Sequence, residues 1–477
     1  MENNKINALR GGGIINVLQV ALPLVAASAG NAANIFTDRV MLSHYSQEAM
    51  AAAFPAGMTC FSLSCFFIGI VAYSGSFVAQ YSGAGRPERI GPTVWQAIFL
   101  ALCGGGIMAS LYFAAPTLFG FFGHSPEIRA LEIEYFRILA CGAWINLCSI
   151  GFSCFWSGRG LTRMVMAVCL TVTLINIPLN RLFIYGDTFA LPWGGELIVP
   201  EQGICGAARG TLTAGSVGLL IYIAGFLLPK RHRRDFGVLK DPFDWPLLCR
   251  IVRFGLPNGI QFALDLTAFN AFVILLGKIS DTALAAGGIA FGFNTLSFTP
   301  MLGVGQAVSI LVGQCIGAKD IPQAERVVKS ASCIVLYYMG MMALIFAIWP
   351  DPILSLFQVY DPEVERAVRI MLRFIAAYML FDGLFIIYTN AIKGAGDTRF
   401  AMWTGVTLAW MLYAIPCIAV YHIFTLPAVK GYFGDAAPSI CLWTMWSICV
   451  IYIMTCGAVF WLRYRHGAWK SMRVIEN

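Results

Sequence analysis

Acidic side chains inside long apolar runs are the first features of this sequence able to do chemistry. Asp38, Asp265 and Asp382 each fall in such a run, and a carboxylate at the middle of a bilayer costs about 2.5–3.5 kcal/mol to insert. A cost of that size needs a function. Asp382 follows Tyr378 by one helical turn, so phenol and carboxylate share a face and can bind one proton or cation jointly. Asn258, Gln261 and Asp265 recur at helical spacing and would line one face of a helix, with Pro257 loosening the backbone ladder at its start. Such a stripe predicts a wet cavity. In Asn176-Ile-Pro178-Leu-Asn180 two amides flank a proline, the pattern of a kinked helix facing a polar cavity or of a hydrogen bond between helices. Asp38, with Arg39 beside it, falls near the end of the first apolar run, where a solvated helix end is the competing explanation.

These side chains need elements to hold them, and composition says which. Of 477 residues 58% are hydrophobic and 12% charged, against about one quarter charged in soluble domains. The apolar surface must therefore face lipid. Lipid offers backbone groups no hydrogen bonds, so the runs must be helices or a closed barrel, and they exceed the roughly 10 residues of a barrel strand. At about 20 residues per crossing, twelve transmembrane helices fit between 14 and 462, the first ending near 37. Most Lys and Arg fall in the amino terminus, 86–89, 159–163, 230–253, 319–329, 393–399 and the tail, which places those segments and both termini in the cytoplasm. The run Lys230-Arg231-His232-Arg233-Arg234 is read as part of that bias, not as a nucleic-acid patch. The fifteen cysteines are scattered through apolar runs without metal-ligand spacing and read as small buried hydrophobes, with no resident metal. Ala27-Ser28-Ala29 imitates a signal-peptidase site, but the apolar run continues past it, so cleavage is not expected.

The chain repeats itself. A shift of 234 pairs Leu22-Pro23 with Leu256-Pro257, Ser46 with Ser280, Gly69 with Gly303, Gln80 with Gln314 and Gly83-Ala84 with Gly317-Ala318. A shift of 236 pairs Pro126-Glu127 with Pro362-Glu363 and Thr162-Arg163 with Thr398-Arg399. The expected architecture is all-α, with two pseudo-symmetric six-helix lobes at 1–229 and 247–477 joined by a basic linker at 230–246. Parallel repeats of this kind are typical of transporters whose lobes rock to alternate access to a site between them. Asp265 falls on Asn31 and Asp382 on Asn146, so polar positions recur while charge does not. Asn31, Asn146, Asn258 and Gln261 are the candidate lining of a substrate cavity.

Taken together these residues resemble the multidrug and toxic compound extrusion (MATE) family, in its NorM-like branch. The resemblance runs along the whole chain and rests on the order of Leu22-Pro23, Asp38-x-Val-Met, Gln80-x-x-Gly-Ala-Gly85, Asn176-Ile-Pro-Leu-Asn180, Leu256-Pro257, Gln314-x-x-Gly-Ala318 and Gly394-Ala-Gly-Asp397-Thr-Arg399. It implies cation-coupled antiport, with Na⁺ or H⁺ entering as an organic, often cationic and aromatic, compound leaves. It also implies that Asp38, Asn176, Asn180 and Thr211 form a cation site in the first lobe and that Asp265, Tyr378 and Asp382 form one in the second. Position 265 is Glu in many NorM-like proteins, position 180 is Asp in other branches, and Ser43 replaces a common Gly. Na⁺ and H⁺ both stay open.

No enzyme activity and no cofactor are expected, only a coupling ion, with transient Na⁺ at Asp265 and Asp382. The partners are a small organic substrate and membrane lipid, with no nucleic acid, in a monomer of a bacterial inner (cytoplasmic) membrane. A lipid-linked oligosaccharide flippase is the alternative; it would need basic residues at mid-depth for a pyrophosphate, and Arg209 is one candidate. A subunit of a proton-pumping complex would need Lys or Glu at the centres of several helices, and here the lysines lie in loops or near span ends.

Overall fold

A computed structural model describes residues 13–190, 196–240, 242–351, 354 and 361–476. The start of the chain, Arg10 included, lies outside the described residues. Twelve helical spans are long and apolar enough to cross a membrane: α1 (Ile14–Tyr45), α2 (Gln47–Gly83), α3 (Pro87–Gly120), α4 (Pro126–Ser157), α5 (Thr162–Tyr185), α6 (Gly203–Leu227), α7 (Trp245–Ile279), α8 (Asp281–Gly317), α9 (Ile321–Ile348), α10 (Pro362–Ala395), α11 (Thr398–Thr425) and α12 (Pro427–His466). Large apolar side chains such as Phe113, Leu174 and Tyr337 stand more than two-thirds exposed. Patches of that kind suit lipid and not water.

The helix ends follow from local chemistry. Ser46 and Ser280 cap α2 and α8 by accepting from the Ala49 and Ala283 amides at 3.3 and 3.0 Å, which satisfies donors a helix start leaves unpaired. Those serines are partners in the sequence repeat, and so are their roles. Gly85 and Lys319 are likewise equivalent, with left-handed φ of 69° and 59°; the first is free there and the second is strained. The first span is longer than its sequence suggests. No breaker interrupts it between 37 and Tyr45, so Asp38 lies about two turns inside α1 and not at its end.

Contacts sort the chain into two units. One comprises Met1–Val25 and Ile260–Arg473, the other Ala26–Gly259 and Val474–Asn477. The sequence repeat divides the chain at 230–246, whereas packing exchanges the first turns of α1 and α7. The exchange is symmetric. In one unit Gly303 of α8 lets the Val25 backbone approach so closely that a Cβ there would sit 2.6 Å from its nitrogen; in the other, Gly69 of α2 does the same for the Cα of Gly259, also at 2.6 Å.

Three segments outside the spans are shaped by specific bonds. Between α5 and α6 a short antiparallel hairpin, β1 (Asp187–Ala190) with β2 (Glu196–Val199), departs from the otherwise helical architecture. The linker after α6 forms a short helix at Lys230–Asp235 and is then bolted to α3. Gly91 donates to the Phe236 carbonyl at 2.9 Å, Trp95 to that of Val238 at 2.7 Å, and Gln96 to that of Pro242 at 2.9 Å. The tail is also fixed. The Val474 amide donates to Gln80 at 3.0 Å, and Glu476 takes the Tyr81 hydroxyl at 2.7 Å and an ion pair with Arg250. Arg86 donates to the Glu476 carbonyl at 3.2 Å. Partial burial raises the proton affinity of the Glu476 carboxyl, but its backbone hydrogen bond, Tyr81 and Arg250 outweigh burial and hold it below its ordinary 4.5.

Candidate functional site

In the unit of Ala26–Gly259 the four polar residues singled out by resemblance stand together. Asn180 of α5 donates to one oxygen of Asp38, and Thr211 of α6 donates to the other at 3.1 Å. Asn180 also donates to Asn176 at 2.9 Å, and Asn176 to Thr211 at 3.3 Å. Both asparagines are fully buried. Their spacing about Pro178 puts both amides on one face of α5, Asn180 reaching α1 and Asn176 reaching α6, and α6 makes room for α5 with glycine: a Cβ at Gly210 would collide with the Asn180 amide oxygen, and one at Gly206 with the Phe183 carbonyl. Arg39 does not neutralise its neighbour; its guanidinium lies over the Phe54 ring, 4.9 Å from the centroid. The arrangement holds one carboxylate by neutral donors, so its charge is solvated without being cancelled.

In the unit of Ile260–Arg473 a cavity of about 200 Å³ is lined by Asp265 of α7, Tyr378 and Asp382 of α10, and also by Asn294 of α8, Tyr413 of α11 and Tyr452 of α12. One carboxylate oxygen of Asp265 is buried without a hydrogen-bond partner among the described residues. Asp265 also feels the charge of Lys393, in the last turn of α10. Two carboxylates, three phenols and an amide offer a proton or a hard cation several oxygen ligands at once.

Other polar positions go elsewhere. Asn258 gives its amide to the Gly69 carbonyl at 2.7 Å, beside the close approach of Gly69 and Gly259, so it rivets two helices. Gln261 is buried and fills the space left by Gly405. Neither is among the residues lining the cavity of Asp265, although Gln261 hydrogen-bonds to that carboxylate. Asn31 and Asn146 belong to the other unit, where both side chains are exposed. Asn294, Tyr413 and Tyr452 escaped sequence reasoning because single amides and tyrosines in aromatic-rich spans carry no spacing signal. A buried acid was missed too: Glu132, fully buried in α4 and bonded to His124 at 2.7 Å, stands too near the span's start to attract notice.

Twelve apolar spans in two related halves, with carboxylates held among amide, hydroxyl and phenol oxygens, are the features of a membrane transporter. The MatE family profile matches residues 23–182 and 257–420, and the chain belongs to that family. A relative from Rhizobium meliloti named "Probable multidrug resistance protein NorM" is 27% identical, over 82% of this chain and 83% of its own. Multidrug resistance protein PmpM of Pseudomonas aeruginosa is 26% identical, over 81% and 79%. Among solved structures, an outward-facing multidrug resistance MATE transporter has the same fold, with a TM-score of 0.83 at 19% identity over 98% of this chain and 99% of that one.

Proposed function

We propose that this protein is a Na⁺- or H⁺-coupled antiporter that exports organic, often cationic, compounds from the cytoplasm by alternating access. The observation that carries the reading is the aromatic cavity holding Asp265 and Asp382, with a carboxylate oxygen of Asp265 left without a partner among the described residues. Such a cavity favours whichever cation enters, so ion and cargo exclude each other there. The Asp38 network is the second coupling site in this scheme, and Asn31, Asn146, Asn258 and Gln261 remain proposed contributors to the substrate path. The names of the relatives support drug or toxin export. The protein would work as a monomer in a bacterial cytoplasmic membrane with both termini inside, in keeping with the grouping of Arg86, Arg89 and Arg250 around the tail. Nothing favours the flippase: Arg209 is engaged by Gln202 at 2.5 Å.

The test is uptake of a fluorescent organic cation into inverted vesicles, with a Na⁺ gradient and a pH gradient imposed separately. One gradient should drive uptake and the other should not. Uptake indifferent to both gradients overturns the reading.

A further inference from the structure

The eleventh span is broken at the level of the acid cavity. Residues Ala409–Ala414 form a π-helical turn between α-helical pieces Thr398–Leu408 and Ile415–Thr425. In a regular α-helix the Ile415 amide would bond to Met411; here it bonds to the Trp410 carbonyl, one residue further back. The cause stands next in sequence. Pro416 has no N–H for the Leu412 carbonyl, and its ring would clash with that carbonyl in an α-helix, so a wider turn relieves both faults. An extra residue in the turn rotates the remainder of the span by about 100° relative to an uninterrupted helix.

One residue of the turn faces the cavity. Tyr413, next to the turn's last residue, is 4% exposed and lines the cavity with Asp265 and Asp382. Its ring stacks on Tyr452 of α12, 5.0 Å between centroids at 10°, and on Phe272 of α7, 5.3 Å at 30°. The turn therefore delivers one ring that ties α7, α11 and α12 together at the cavity wall. Non-helical backbone at membrane depth is tolerated where it serves such a cavity.

We infer that the Pro416-imposed π-turn is a positioning device, and that Tyr413 is the positioning residue through which it holds the wall of the Asp265/Asp382 cavity in shape for its cation. This inference rests on the transport reading above. It is tested by equilibrium binding of tetraethylammonium to purified protein that elutes as a single species. Losing the two stacks loosens the cavity wall and should weaken binding about three- to tenfold in Tyr413→Leu, about 0.6–1.4 kcal/mol. Tyr413→Phe keeps the ring and its stacks and should recover most of the binding that Tyr413→Leu loses; equal loss in the two variants would make the hydroxyl a ligand and overturn the positioning role. Pro416→Ala restores the missing amide, lets the turn relax, and should behave like Tyr413→Leu although the cavity residues are untouched. Wild-type affinity in both Tyr413→Leu and Pro416→Ala overturns the inference alone. Failure of the unaltered protein to bind the cation or to couple its movement to either gradient overturns the transport reading beneath it.

Discussion

Asp38 has its charge solvated by an amide and a hydroxyl, with the Arg39 guanidinium turned to the Phe54 ring, while Asp382 sits among phenols in an aromatic cavity. The two acids are therefore open to an incoming cation in different ways. Replacing Asp382 by Asn removes the charge and keeps the shape, so gradient-driven uptake in vesicles should disappear while the amount of protein in the membrane stays normal; uptake at the wild-type rate would show that the acid plays no part. Gly210→Ala is a subtler probe, because the added methyl must displace the Asn180 amide from its place beside Asp38. Uptake should fall severalfold. Gly106→Ala, where nothing lies within 4 Å, should leave it unchanged. The residues of this site were legible as types and as a family pattern, Asp38 with Asn176, Asn180 and Thr211. Their mutual bonds were not, since they depend on how α1, α5 and α6 pack, and only the glycine at 210 hints at that.

Whole elements were easier to read than their interactions. Twelve apolar runs and a repeat at shifts of 234 and 236 identify the helices, because lipid tolerates few other solutions. What no periodicity revealed is that α1 continues past Asp38, that α11 breaks into a π-turn, and that the Asn258 amide reaches the Gly69 carbonyl across a helix crossing. Each depends on a neighbour far away in sequence. The glycines at those crossings make a clear prediction. Gly69→Val and Gly303→Val force side chains into backbone at the two equivalent approaches, and overpacking of this kind costs about 1–3 kcal/mol or more. Both should lower the thermal midpoint in detergent, and to similar extents if the repeat is faithful. Lys319→Gly works in the opposite direction, since a non-glycine residue in the left-handed region is strained by about 1–3 kcal/mol. It should raise the midpoint.

For the molecule as a whole, the proposed antiport would draw on the membrane potential. Each net charge moved inward per cycle across about 100 mV would contribute about 2.3 kcal/mol, enough to concentrate cargo roughly 50-fold. Stability has its own pH dependence at the tail. Because Glu476 is held below 4.5 in the folded protein, its contribution is present above that pH and is lost as pH falls through the lowered value. Thermal melts taken between neutral pH and pH 3 should show this loss in the wild type, and a shallower slope in Glu476→Gln. An unchanged slope would mean that the tail bonds do not persist in solution.

The same tail carries a practical consequence. The segment after α12 is anchored by one anion, Glu476, shared between Arg250, Arg89 and the Tyr81 hydroxyl. An exopeptidase that nibbled off residues through Glu476 during purification would take that counter-charge from Arg250 and leave Arg89 with Asp244 alone. Intact-mass spectrometry before any melt or uptake assay would reveal such clipping, which on a gel would pass for full-length protein.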